Sequence, residues 1–515
     1  MLDQGRTGGK DLAGITPGSW SRLGDVLGYL SLAAAGSFIA LYVSLALMRM
    51  SYPFELEWME GGSVGQVSWI LAGHKLYGRP SLEFTPWVYP PLYFYLSAAL
   101  SSILAGGFFP LRLVSFVCSL GSIALVFAMV RRETGSFRPA MLSAGLFAAT
   151  YQLGGTWFDL ARSDSLFLVL LLGAIYVLGR DTSARSAVVA GTLLSLSFFS
   201  KQTALLVAVP LVLCCAATDR RRALWLVATC VLLIGGGTFL LDRWQEGWFS
   251  YYVFTLPSRL SSRVIPERVV YFWTRDVVLP LAIASTLALC YILRTAVEPS
   301  RRGWFYAAVA AGMCAGAWIP RMQSGGYANT LIPAYAVVSV LFGLGLEDVR
   351  RTVLRADSPP RRQLVAVLEL LCVIQFVALI YNPLAALPKP GDLEAGRRIV
   401  SQLGRIRGDV FVFSQSYLAP MAGKPATAHA AAILDVLGWG GEREKTALEA
   451  ELRAAVLGGR FSALVLDGRN DGLFSTLLDR YDASGPVLDD PRSFWPVTGY
   501  RVRPERLYLL RDQSR

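Results

Sequence analysis

Apolar runs separated by arginine-bearing loops fill most of the first 381 residues, and this pattern constrains the fold more than any other feature. The runs cover 27–48, 110–130, 139–157, 165–179, 186–199, 203–217, 223–241, 277–296, 304–320, 329–346 and 364–381. A helix crossing a bilayer upright needs about 20 apolar residues, so about eleven crossings are expected, several from runs shorter than ideal. Only 17% of the residues are charged and 54% are hydrophobic, whereas a soluble domain carries about 25% charged residues.

The arginines orient the crossings. Arg131, Arg132 and Arg138 share one loop, Arg180 and Arg185 another, and Arg220, Arg221 and Arg222 a third. Arg294, Arg301 and Arg302, then Arg350, Arg351, Arg355, Arg361 and Arg362, follow in further alternate loops. The positive-inside rule makes all of these cytoplasmic. Residues 1–26 are then a cytoplasmic tail and the C-terminus is external. The alternation holds only if 89–107, apolar enough to span, is not a crossing. It is expected to lie at the outer interface, led by Pro90-Pro91, with Tyr89, Tyr93 and Tyr95 at headgroup level. The first run exceeds the 7–15 residues of a signal core, and no small-residue cleavage site follows at Arg49-Met50-Ser51-Tyr52, so it is read as retained.

External segments result at 49–109, 158–164, 242–276 and 321–328. Beyond residue 381, Pro383, Pro388, Pro390 and Gly391 mark a linker. Short strands are expected at 409–413, 463–466 and 507–510, with an amphipathic helix at 442–457. The fold class is a mainly α, polytopic membrane protein: a membrane domain at 27–381, with an external interface-helix loop, then a small soluble α/β domain at 382–515. The net charge of +12 sits in the loops, without the basic helix or aromatic-basic module of a nucleic-acid binder. Seven cysteines all lie inside apolar runs with no C-x-x-C spacing, which suits packing rather than metal binding or disulfides. His74 and His429, the two histidines, are expected at the surface.

Three acids, Glu55, Glu57 and Glu60, open the first external loop. A helix would place Glu57 and Glu60 on one face; solvated loop acids are the plainer alternative. Asp159 and Asp164 lie in the second external turn, where either could cap the next helix. Arg162 is an external arginine, against the positive-inside pattern. Lys201 joins two short apolar runs, a costly position that marks a functional candidate, the alternative being a snorkelling lysine. Arg259, Arg263, Arg268, Arg275 and Arg321 form a further external basic set, which an anion at the outer surface would account for.

Taken in order, Glu57-Trp58-Met59-Glu60-Gly61, Tyr89-Pro90-Pro91-Leu92, Leu111-Arg112-Leu113, Arg162-Ser163-Asp164, Ser200-Lys201-Gln202, and Gly326-Tyr327 with Leu331-Ile332-Pro333 form a series. The series resembles the GT-C membrane glycosyltransferases over residues 27–350, a group that includes protein O-mannosyltransferases, the lipid A aminoarabinose transferase and the oligosaccharyltransferase catalytic subunit. Two departures stand out: Glu replaces the commoner leading Asp, and Tyr89 stands where many members have Lys. The resemblance implies an inverting glycosyltransferase that moves a sugar from a polyprenyl-phosphate donor to an envelope acceptor (lipid, glycan or protein) on the external face of a bacterial cell membrane. It implies Glu57 or Glu60 as base, and Asp164 as a residue that orients the acceptor or helps hold a metal. Lys201, Arg162, Tyr89, Arg259, Arg263, Arg321 and Tyr327 would bind substrate. Some relatives use a divalent metal and others do not, which leaves the cofactor open. The competing reading is a lipid or sugar transporter, whose site would lie near the bilayer midplane; here the suspect acids lie at the external end.

Overall fold

The computed structural model describes residues 17–260, 264–355, 361–468 and 471–511. Helices dominate, with one small sheet near the C-terminus. In chain order the first eight helices are α1 (Pro17–Met50), α2 (Glu60–Leu71), α3 (Leu92–Leu104), α4 (Phe108–Thr134), α5 (Phe137–Ala149), α6 (Asp164–Arg180), α7 (Ala184–Ser200) and α8 (Ala204–Thr218). Each of the eleven apolar runs contains a helical segment. Four described helices are by themselves long and apolar enough to cross a membrane, or up to five if a bent pair forms one span.

Helix Ala328–Arg355 is the axis of the bundle, its apolar window buried throughout. Small residues let its neighbours approach closely: a side chain at Gly343 would run into Ser143, and one at Gly345 into the backbone of Leu287. Arg220–Trp244 is the opposite case. Its window is just as apolar but only 6% buried, and Val231, Leu232, Phe239 and Leu240 are all about two-thirds exposed. So continuous an apolar face requires lipid around it.

Three expectations need correcting. The run at 277–296 is not one straight span: Pro266–Val278 and Ala282–Val297 meet at a 100° bend. Pro280 cannot continue the helix, and the buried Gln375 satisfies the break, accepting from the N–H groups of Ile283 and Ala284 (both 3.1 Å) and donating to Pro280 O (3.0 Å). The run at 139–157 is helical only to Ala149; irregular turns follow, with Gly155 and Thr156 both at positive φ. The segment at 242–276, read as external, forms a series of short helices. Helix α3 has 13 residues, about 20 Å of rise, too short for a hydrocarbon core of about 30 Å. Its tyrosines do not line up toward headgroups, however. Tyr93 is fully buried and donates to Leu111 O at 2.9 Å.

The sheet has the order β1-β2-β4-β3, with β1 (Val410–Val412), β2 (Ala463–Leu466), β3 (Tyr481–Pro486) and β4 (Arg506–Leu510). β1 and β2 run parallel, Phe411 opposite Leu464; β4 is antiparallel to both its neighbours, with Tyr508 opposite Leu464 and Ala483. Helices Ala430–Trp439 and Glu442–Leu457 make the crossover that a parallel pair needs. β3 was not expected: it is a polar edge strand, bulged between Ala483 and Gly485, with no apolar run to announce it. Helices Asp392–Arg405 and Ala430–Trp439 were likewise not expected.

Candidate active site

The two acids of the first loop part company at once. Glu60 opens α2, whereas Glu57 precedes it in a turn closed by Glu60 N–H donating to Glu57 O at 2.9 Å. They therefore do not share a helical face. Both are fully buried, so neither is a solvated loop acid.

Glu60 is saturated. Arg112 on α4 grips it with two hydrogen bonds, Nε to Oε1 at 2.9 Å and Nη2 to Oε2 at 2.7 Å. The N–H groups of Leu56 and Ala161 add one bond to each oxygen, both at 2.7 Å. Arg112 spends its other donors on the carbonyls of Arg49, Tyr52 and Phe54. Burial raises the Glu60 carboxyl, but the Arg112 charge and these bonds outweigh it, leaving Glu60 below the ordinary glutamate range. The arrangement ties the first loop to α4 and the 158–162 turn. Asp159 is held similarly: Arg49 at the end of α1 donates to both its oxygens (2.6 and 2.7 Å), and Tyr151 adds a bond at 2.9 Å. Asp159 is thus a buried ion-pair partner, not a helix cap.

Glu57 is different. Oε2 accepts from Met59 N–H at 3.2 Å and lies 4.0 Å from Arg162 Nε. Oε1 is buried and makes no hydrogen bond among the described residues. Burial pushes its carboxyl up to about 8, against the pull of the Arg162 charge. Arg162 is itself buried, its guanidinium 5.0 Å from the Trp87 ring centre and 5.2 Å from that of Tyr89, with Nη2 donating to the Tyr89 hydroxyl at 3.0 Å. Its Nη1 also has no partner among the described residues. An unengaged carboxylate oxygen and an unengaged guanidinium nitrogen therefore occur on neighbouring side chains.

Asp164 is the first residue of α6, and Ser163 is the N-cap position, without a side-chain cap bond. The Asp164 carboxylate instead accepts from Lys201 Nζ at 2.6 Å and from Asn329 Nδ2 at 3.0 Å. This corrects the capping alternative. Lys201 is held in the hairpin between α7 and α8, where Gln202 anchors the turn by donating to the carbonyls of Val88 and Val253. Asn329, unnoticed in the sequence, is a polar residue at the head of an apolar run, a signal of the same kind as Lys201.

The remaining basic candidates are dispersed. Arg321 is paired with Asp276 at 2.7 Å and bonds Gly326 O, while Arg268 spends Nη1 on the carbonyls of Gln323 and Gly326. Arg275 stacks on Tyr271. Arg259 is exposed on the short helix Leu256–Leu260, which packs on Ala430–Trp439. Tyr327 stacks with Trp157, ring centres 6.5 Å apart. Arg263 lies outside the described residues. Of the two histidines, His74 is exposed and stacked on Trp69, but His429 is 4% exposed. Its Nδ1 accepts from Ala431 N–H, capping that helix, so Nε2 carries the proton toward Trp58 O at 3.1 Å. Burial, mainly, depresses its pKa to about 4. Among the described residues no three His, Cys, Asp or Glu side chains gather closely enough to hold a metal ion. A cavity of about 700 Å³ lies between α2, the start of α4 and the C-terminal segment, and neither Glu57 nor Asp164 lines it.

Comparison with known proteins agrees with this architecture. Residues 88–241, which include Arg112, Arg162, Asp164 and Lys201, match the family described as dolichyl-phosphate-mannose-protein mannosyltransferase. No curated protein matches the chain in sequence. Among solved structures, ArnT from Cupriavidus metallidurans bound to undecaprenyl phosphate superposes with a TM-score of 0.59 at 12% identity, covering 92% of this chain and 97% of that one. The same protein in its apo state gives 0.59 at 14% identity, covering 92% and 98%. The chain has the fold of ArnT.

Proposed function

We propose that this protein is an inverting membrane glycosyltransferase that takes a sugar from a polyprenyl-phosphate donor and passes it to an envelope acceptor on the external face. The observation that carries the reading is the contrast between Glu60, all of whose bonding capacity is spent on Arg112 and backbone, and Glu57, buried with one oxygen unengaged beside an unengaged donor of Arg162. Glu57 is the general base. The acceptor hydroxyl attacks the anomeric carbon and loses its proton to the Glu57 carboxylate, while the bond from that carbon to the phosphate oxygen breaks. A base whose pKa lies near the working pH takes a proton well without being permanently protonated; at about 8, Glu57 is roughly a tenth ionised at pH 7.

The electron pair leaves on the polyprenyl phosphate, a stable anion that needs charge stabilisation rather than a proton. Arg162 Nη1 and Lys201 supply it: Lys201 has three N–H donors and Asp164 takes one. Asp164, with Asn329, aims Lys201. Among the described residues the acids are not grouped as a metal site. The apolar chain of a lipid-linked donor suits a protein whose outer helices face lipid, and ArnT, which shares the fold, has been solved with undecaprenyl phosphate bound. The test is sugar transfer by the protein reconstituted in lipid, using polyprenyl-phosphate sugars and an extract of envelope lipids and glycans as acceptors. Transfer abolished by Glu57→Gln supports the reading. Wild-type transfer by that variant removes Glu57 as the base, and no transfer by the unaltered protein favours a transporter.

A further inference from the structure

We propose that the Thr498-Gly499-Tyr500 turn of the C-terminal domain is a positioning element of the active site, closing the Glu57 carboxyl off from water and fixing its direction. This rests on the reading of Glu57 as base. The turn is more than 400 residues from Glu57 in sequence, yet it meets Glu57 by backbone and by shape. Thr498 forms an isolated parallel bridge with Glu57, its N–H donates to Leu56 O at 3.1 Å, and its hydroxyl donates to Gly155 O at 2.6 Å. One residue thereby ties the acidic loop to the turn that leads into Arg162.

Gly499 follows at φ +78°, where a side chain is strained. A Cβ there would lie 2.9 Å from Glu57 Oε1, the oxygen with no hydrogen bond, and 3.0 Å from the Trp58 ring. The glycine backbone therefore lies against the unengaged oxygen, and a side chain here would have to push the Glu57 carboxylate aside. Tyr500 then packs on Trp58 at 5.5 Å, and His429, from another part of the same domain, holds Trp58 O. The charged groups acting on Glu57 come from elsewhere: Arg162 and Asp164 on the second external turn and Glu60 on α2. The C-terminal domain contributes dryness and shape. Protein packed against a carboxyl in place of water raises the cost of its charge, so the domain helps set the proton affinity of the base as well as its place.

The experiment uses the full-length protein in nanodiscs and a water-soluble carbodiimide with an amine nucleophile, with labelling at Glu57 and Glu60 followed by peptide mass spectrometry from pH 5 to 9. Thr498→Val loses the hydroxyl bond and Thr498→Ser keeps it. Thr498→Val is expected to raise Glu57 labelling about tenfold, as a local opening would, and to shift the midpoint of its pH dependence downward. Glu60 should stay protected, and Thr498→Ser should restore wild-type behaviour. Gly499→Ala should act in the same direction if it folds; if it does not, the Thr498 pair decides. Equal Glu57 labelling in wild type and Thr498→Val overturns the proposal. So does parallel labelling of Glu60, which would mean that the turn merely holds the whole loop together. Labelling needs no substrate, so its result is separate from whether Glu57→Gln abolishes transfer.

Discussion

The three acids of the first loop show how much chemistry depends on a partner far away in sequence. Glu57 and Glu60 look alike as residues three apart, and nothing local distinguishes them. Arg112, on α4, makes the distinction by saturating Glu60. Two substitutions should therefore fail in different ways. Glu60→Gln leaves the Arg112 charge buried without its partner, a loss of about 3–5 kcal/mol, and should show as lost folded yield on gel filtration. Glu57→Gln removes a positioned base and should cost at least about a hundredfold in transfer rate while the protein folds normally. Its stability should even gain at alkaline pH. The Glu57 carboxyl sits near 8 in the folded protein against an ordinary 4.5, so folding takes up a proton between these values and stability falls as pH rises through that window. The glutamine variant escapes this. Its melting temperature should exceed that of wild type at pH 8.5 and converge with it near pH 4.5; the opposite order would mean that the buried acid is ionised and paired. Arg162 was legible because it broke the charge rule, and Arg112 breaks it too, at the outer end of an apolar run.

At the scale of elements, hydrophobic runs located helices, of which four, or five with the bent pair, are long and apolar enough to cross a membrane. They could not show where helices break. Pro280 marks one break, but its consequence, a 100° bend, depends on Gln375 of a later helix satisfying the exposed backbone. Nor could they show β3, whose residues are those of an exposed edge. The start of α6 is the element where structure and chemistry meet. Asp164 has the residue type of a cap, yet its carboxylate points to Lys201 and Asn329. Asp164→Ser would preserve a cap and cost little if capping were its role. We expect it instead to be as damaging to transfer as Asp164→Asn, because Lys201 loses its counter-charge in both. Lys201→Ala should weaken donor use without unfolding the protein. Lys201→Arg should also be poor, since a planar fork does not replace a compact ammonium. Saturation curves in the lipid-linked sugar measure both; full activity of Lys201→Ala would place the phosphate elsewhere.

On the scale of the whole molecule, the hydrogen bonds that tie the C-terminal domain to the first loop restrict topology more tightly than hydropathy does. Thr498 bonds Leu56 and Gly155, His429 bonds Trp58, and Asp392 accepts from Phe494 N–H beside Phe54. The acidic loop, the 150–162 turn and the domain beyond residue 390 must therefore lie on one side of any membrane. The arginines of the alternate loops gather into a different set of contacts: Arg132 with the Tyr176 carbonyl, Arg138 with Glu369, Arg294 with Asp348, and Arg351 with the Thr134 carbonyl. These join the ends of helices that the positive-inside rule places in the cytoplasm. Fusions to a reporter that works only outside the cytoplasm should be active after Tyr381 and at the C-terminus, and silent near Arg221 and Arg355. Because the first loop and the C-terminal domain are in contact, an insertion tag near His74 must report the same side as the C-terminus. Agreement on the cytoplasmic side would invert the whole chain and remove the external active site. Disagreement between the two would mean that α3 spans after all, despite its 13 residues, and that the contacts of Thr498 with the acidic loop do not exist in the membrane.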